Sequence, residues 1–107
     1  MALTELNFEF TPKEPKELND EWGHVGIVSS GDLEILIEKG NAYKGKVSFH
    51  ILTTVVGFDN VWETVLGRLV DKTGLSGVKV SINDNAATPA VVKRRLQQAI
   101  ENGGGLQ

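Results

Sequence analysis

Two hydrophobic periodicities divide this chain, and the switches between them outline its elements. Leu6, Phe8 and Phe10 alternate with polar residues, which predicts a first strand. The following "TPKEPKELNDEWG" carries Pro12, Pro15 and many charges and reads as a loop, because each proline removes a backbone donor and restricts its predecessor. Residues 24–30 and 33–38 read as a strand pair. Val25 and Ile27 form the apolar face of the first strand; Leu33, Ile35 and Ile37 form that of the second. Side chains alternate with period 2, so both sets share a face only if facing residue numbers sum to an even number. The loop Ser30-Gly31-Asp32 meets that condition, with Gly31 supplying a positive φ. A two-residue loop would instead pair Val28 with Leu33; in either case Ser30 lies at or beside the tip.

"GKVSFHILTTVV" is the clearest strand. Val47, Phe49, Ile51, Thr53 and Val55 fall on one face, and Lys46, Ser48, His50, Leu52 and Thr54 on the other. The second set is mostly polar, so one side of this sheet is expected to face water or a partner. From residue 58 the period becomes helical: Phe58, Val61, Trp62, Val65, Leu66, Leu69 and Val70 make one stripe. Asn60 with Glu63 resembles a capping box, and Gly74 suits the helix end. Val78, Val80 and Ile82 mark another strand. Thr88 then suits an N-cap, Pro89 the first helical position, and Val92, Leu96, Ala99 and Ile100 the buried stripe of a second helix. Gly103-Gly104-Gly105 is expected to stop that helix and begin a loose tail over residues 102–107.

The predicted order is β-β-β-β-α-β-α. It implies an α+β fold: a mixed sheet of about four to five strands with two α-helices packed on one face. The strands on either side of the first helix can pair in parallel through it. At 107 residues, one domain is expected, with a core over residues 23–101. A core of this size favours a surface or shared site over a deep, self-contained enzyme pocket.

Composition removes several chemistries. The net charge is −3, and the densest basic cluster is Lys93-Arg94-Arg95, so nucleic-acid binding has no electrostatic support. No apolar stretch approaches the ~20 residues of a membrane span. "MALTELNFEF" lacks the basic-then-apolar order of a signal peptide, so a cytoplasmic location is expected. There is no cysteine, which removes thiolate metal sites and a cysteine nucleophile; any thiol would have to arrive with a cofactor.

The remaining candidates are weak one by one. His24 and His50 lack a second ligand at metal spacing, so no metal site is expected. Ser29 has Gly31 two residues on but Ile27 two before, and the corner leads into a strand, so it is not a nucleophile elbow. "INDNAATP" joins a strand to a helix whose first amides could hold an anion; the alternative is that Asp84, Asn85 and Thr88 only shape the turn and cap. Lys93, Arg94 and Arg95 suit a solvated surface, or phosphates or acids on a partner. Trp62 reads as core and Trp22 as core edge. On these residues alone the chain is a small α+β binding or carrier module.

Four stretches in this order carry a resemblance: the N-terminal strand, "VGIVSSGDLEILIE", "TTVVGFDNVWETVL" and "VSINDNAATPAVVKRRLQQA". Together they resemble the acyl carrier (delta) subunits of bacterial malonate decarboxylase over roughly residues 23–101. In that family the serine before Gly-Asp carries 2'-(5''-phosphoribosyl)-3'-dephospho-CoA, joined covalently through a phosphodiester. The resemblance therefore implies attachment at Ser30, with Ser29 as second choice, and recognition by an attaching transferase around Gly31, Asp32 and Glu34. Ser29 stands where the family pattern has a glycine, and Asn85-Ala86 where it has an aromatic and a glycine. The implied function is carriage of acetyl and malonyl thioesters between acyltransferase and decarboxylase subunits of one complex. The carrier itself is expected to be non-catalytic and to supply no acid, base or metal. A citrate lyase-type carrier and a plain protein-interaction domain using the open sheet face are the alternatives. The helical carriers' D-S-L motif is absent.

Overall fold

The computed structural model describes residues 3–26 and 30–107. Among the described residues seven strands and two α-helices follow one another, with a short 3-10 turn at Asn41–Tyr43: β1 (Thr4–Phe10), β2 (Lys16–Glu17), β3 (Trp22–Val25), β4 (Asp32–Lys39), β5 (Val47–Thr53), α1 (Asp59–Thr73), β6 (Leu75–Ser76), β7 (Val78–Asn85) and α2 (Pro89–Asn102). Five strands form one sheet in the order β1-β5-β7-β4-β3, and β2 and β6 make a separate parallel pair. Within the main sheet only β5 and β7 run parallel, and α1 is the crossover between them. The fold is the expected α+β sandwich, with the two-residue strands β2 and β6 added to the predicted order.

Alternation sets the two faces of the sheet. Leu6, Val25, Ile35, Ile37, Phe49, Ile51, Val80 and Ile82 point to the helix side and are buried. The helices cover them with Trp62, Leu66, Leu69 and Val70 of α1 and Val92, Leu96, Ala99 and Ile100 of α2. The other face stays open and is mostly polar. There Glu9 pairs with Lys46, and Glu5 with His50, at 3.4 Å each. Trp22 lies on this face and is 61% exposed, not at the core edge as its type suggested.

α2 comes very close to β3 because Gly23 has no side chain. A Cβ there would run into the Ala99 carbonyl and approach the Gly103 nitrogen at 2.8 Å. Thr88 caps α2, accepting from Val91 N–H at 3.3 Å, with Pro89 in the first turn, as read from the sequence. Gly74 ends α1 in the left-handed region at φ 79°. The capping box at Asn60 and Glu63 does not form: α1 already begins at Asp59, its N-cap is Phe58, and no side chain caps it. The C-terminal tail is not loose either. Leu106 bridges to Leu18, Gln107 N–H donates to the Glu17 carbonyl at 3.0 Å, and Leu18 is fully buried against Gly103. Among the described residues, no helix is long and apolar enough to cross a membrane.

Candidate functional site

The β3–β4 register follows the expected parity: Trp22 faces Glu38 and Val25 faces Ile35, pairs that sum to an even number. β3 stops at Val25, however, short of the predicted 24–30. Gly26 turns with φ 92°, and Asp32 is the first residue of β4, paired with Asn85 of β7 rather than sitting in the loop. Ile27, Val28 and Ser29 lie outside the described residues, so the placement of Ser29 and of the Val28–Leu33 alternative falls there too. Ser30 is exposed in a turn. Gly31 has φ 75°, and a Cβ on it would meet none of the described residues within 4 Å, so the space beside Gly31 is clear of them.

The residues after Ser30 are firmly held. Gly31 N–H donates to the Asn85 carbonyl at 2.7 Å. Asp32 receives three bonds: Leu33 N–H at 2.7 Å, Arg95 Nε–H at 3.0 Å and Arg95 Nη2–H at 2.6 Å. The paired contact from one guanidinium is the strong, planar form of a carboxylate–arginine bond. The Arg95 bond, then the Leu33 amide, hold the Asp32 carboxyl below its ordinary range, with Arg94 adding attraction. Asp32 in turn raises Arg95. Arg95 thus belongs to the corner, while Lys93 and Arg94 are exposed.

Glu34 faces the open side of the sheet. It bonds His24 Nε2 at 2.8 Å and accepts from Asn83 Nδ2–H at 3.2 Å. These bonds, His24 first, lower the Glu34 carboxyl. His24 and Glu34 are both partly exposed, and their pairing across β3 and β4 stiffens the stem of the corner. Among the described residues no group of His, Cys, Asp or Glu side chains is placed to share a metal ion.

A second network supports the corner from beneath. Asp84, buried at the end of β7, accepts from Thr53 Oγ1–H at 2.7 Å and from Ala87 N–H at 3.0 Å. Thr53 Oγ1 itself accepts from Val55 N–H at 3.1 Å. In "INDNAATP", Asp84 and Thr88 therefore hold the turn and cap, which leaves those side chains committed to the chain's own amides. Asn85 carries the carbonyl that receives Gly31, and Ala86 adopts φ 63°. Sequence periodicity gave no hint of the Asp32–Arg95 and Thr53–Asp84 bonds, because both join side chains distant along the chain.

The family description "Malonate decarboxylase delta subunit (MdcD)" matches residues 21–103. The chain belongs to this malonate decarboxylase delta subunit family. It is 43% identical over 98 residues to the malonate decarboxylase acyl carrier protein of Malonomonas rubra, spanning 92% of this chain and 87% of that one. It is 46% identical over 83 residues to the protein of the same description from Stenotrophomonas maltophilia (strain R551-3), spanning 76% and 77%. In the crystal structure of a Pseudomonas malonate decarboxylase hetero-tetramer in complex with malonate, one chain superposes with a TM-score of 0.77 at 36% identity. That match spans 94% of this chain and 99% of the other. Within this delta subunit family, Ser30-Gly31-Asp32 is the stretch that the sequence singled out, and it forms the exposed corner just described.

Proposed function

We propose that this chain is the acyl carrier subunit of a malonate decarboxylase and that Ser30 Oγ is the attachment point of a phosphoribosyl-dephospho-CoA arm. The observation that carries the reading is the Ser30 corner: an exposed hydroxyl beside open space, directly followed by backbone and side chains pinned to β7 and α2. Such a corner fits the group on two counts. A bulky phosphodiester needs room, which the bare Gly31 and exposed Ser30 give it. An attaching enzyme also needs a fixed backbone to read, which Gly31–Asn85 and Asp32–Arg95 supply.

When bound, the arm supplies the thiol that this cysteine-free chain lacks, and with it the thioester linkage to acetyl or malonyl. The chain's own residues do the positioning. Ser30 holds the arm through one rotatable side chain. Asp32 and Arg95 fix the direction in which that side chain leaves the surface. His24, Glu34 and Asn83 brace the strand ends behind it. Acyl exchange and decarboxylation belong to partner subunits of the complex, in the cytoplasm. The open corner keeps the arm free to reach more than one partner, and tethering raises its local concentration at each.

Intact-mass measurement tests the reading on protein produced together with the attaching enzymes. The wild type should gain the mass of the arm. Ser30→Ala should show no gain while its circular dichroism and melting stay unchanged. A full gain in Ser30→Ala would refute Ser30, and loss in Ser29→Ala alone would move the site by one residue. No gain in any form, beside a relative that is modified under the same conditions, would refute the carrier reading.

A further inference from the structure

Beside the Ser30 corner lies an apolar groove that the attachment reading does not use. Its volume is about 450 Å³, within the range of small-molecule sites. Val55, Phe58, Val61, Ala87 and Pro89 line it, together with the buried Trp62. Phe58 and Val61 are 52% and 43% exposed, although both belong to the helical stripe that periodicity assigned to the core. Large apolar side chains left open together at one cavity mark a binding surface more often than scattered single ones do.

The groove's chemistry narrows its occupant. Asp84 is the sole acid or base among its lining residues, and both carboxyl oxygens are already taken by Thr53 and Ala87. Thr88 Oγ1 is engaged by Val91 N–H. The walls therefore offer contact area and no cation to a second carboxylate. The groove also adjoins the attachment corner: Gly31, next to Ser30, bonds the carbonyl of Asn85, and the next residue, Ala86, lines the groove.

We propose that this groove is the resting site for the uncharged end of the arm on Ser30, a pantetheine chain closed by a short neutral acyl group such as acetyl. The proposal rests on the attachment reading above for its occupant. A tether places that end at a local concentration in the millimolar range, so even a weak site is substantially filled. Seating there withdraws the thioester from water between partner visits. A malonyl end, which brings a negative charge beside Asp84, is held less well and stays outside.

The test uses free ligands on the unmodified protein, so it does not depend on whether attachment occurs. The 15N-labelled protein is titrated with S-acetylpantetheine and followed by its amide resonances. Saturable shifts should appear at Val55, Val61 and Ala87, with a dissociation constant in the millimolar range. S-malonylpantetheine should bind at least about fivefold more weakly, and Val61→Arg, a surface change in α1, should weaken the acetyl form about tenfold. Absence of saturable shifts at these residues overturns the proposal, whichever serine carries the arm. Equal binding of the malonyl form overturns the stated preference and with it the neutral-acyl occupant. Groove resonances that move only when the other subunits of the complex are added also overturn it, and would make the groove a protein-docking face.

Discussion

Thr53→Val is the sharpest probe of the network under the corner. Valine matches threonine in shape, so the change creates no cavity and removes only the hydroxyl. That hydroxyl is fully buried, donates to Asp84 at 2.7 Å and accepts from Val55 N–H at 3.1 Å. A hydrogen bond to a charged group is worth about 1.5–3 kcal/mol, and its loss leaves the buried Asp84 oxygen without that partner. We expect a loss of about 2 kcal/mol, within reach of a domain holding roughly 5–15 kcal/mol in all. Unfolding entropy near 60 °C is about 2.1 cal/mol/K per residue, so 107 residues give roughly 225 cal/mol/K. The melting temperature should therefore fall by about 9 °C in scanning calorimetry at neutral pH. Thr54→Val is the matched control: its hydroxyl reaches Asn85 Oδ1 only at 3.4 Å from a half-buried position, and should cost less than about 0.5 kcal/mol. Equal melting of the two variants would refute the claim that Thr53 and Asp84 hold the end of β7.

Three further outcomes follow from particular contacts. The Asp32 carboxyl sits below its ordinary value of 3.8, so its contribution to stability is present above that value and disappears as pH falls through the lower folded one. Urea midpoints of wild type and Asp32→Asn should accordingly differ at neutral pH and converge in acid; a gap unchanged down to the most acidic measurable pH would contradict the Arg95 pairing. Gly23→Ala forces a methyl into the last turn of α2 and should cost at least about 1–3 kcal/mol by urea unfolding, and a neutral result would mean that α2 does not lie so near β3. Ala86 holds φ 63°, a conformation that costs an L residue roughly 1 kcal/mol, so Ala86→Gly should be neutral or stabilising by up to ~0.5 kcal/mol once the freer unfolded chain is counted; a clear drop in melting temperature would argue against that backbone.

Much of the sandwich was readable because its strands alternate cleanly. Val47–Ile51 and Val78–Ile82 are unbroken period-2 runs, and Thr88-Pro89 is a helix start with a local cause. Where local cues competed, tertiary contacts decided. Asn60 and Glu63 carry the capping pattern, yet α1 begins at Asp59, before Asn60. Residues 24–30 alternate like a strand, but Gly26 turns at φ 92°, where a Cβ would run into the Leu33 carbonyl, and β3 stops before it. Gly103–Gly105 look like a free end by composition alone; Leu18, far along the chain, fixes them. Of the candidate site, strand parity placed Ser30 at or beside a tip, where it is exposed in a turn, and the family resemblance singled it out. The groove did not, because a helical stripe cannot say which of its members the sheet leaves uncovered. Phe58, the N-cap, and Val61 in the first turn of α1 stay exposed, while Leu66 and Leu69 further along the same stripe are buried.

The clamp between Asp32 and Arg95 joins residues 63 positions apart in the chain. The corner around Ser30 therefore exists only once the chain ends of that long loop have been brought together, which carries the entropy cost of loop closure. Neither a peptide bearing Ser-Ser-Gly-Asp nor a chain still lacking α2 has the carbonyl of Asn85 and the guanidinium of Arg95 in place. On the attachment proposed above, an enzyme that reads this corner would read completed folding along with sequence, and the arm would go only to chains that have passed that inspection.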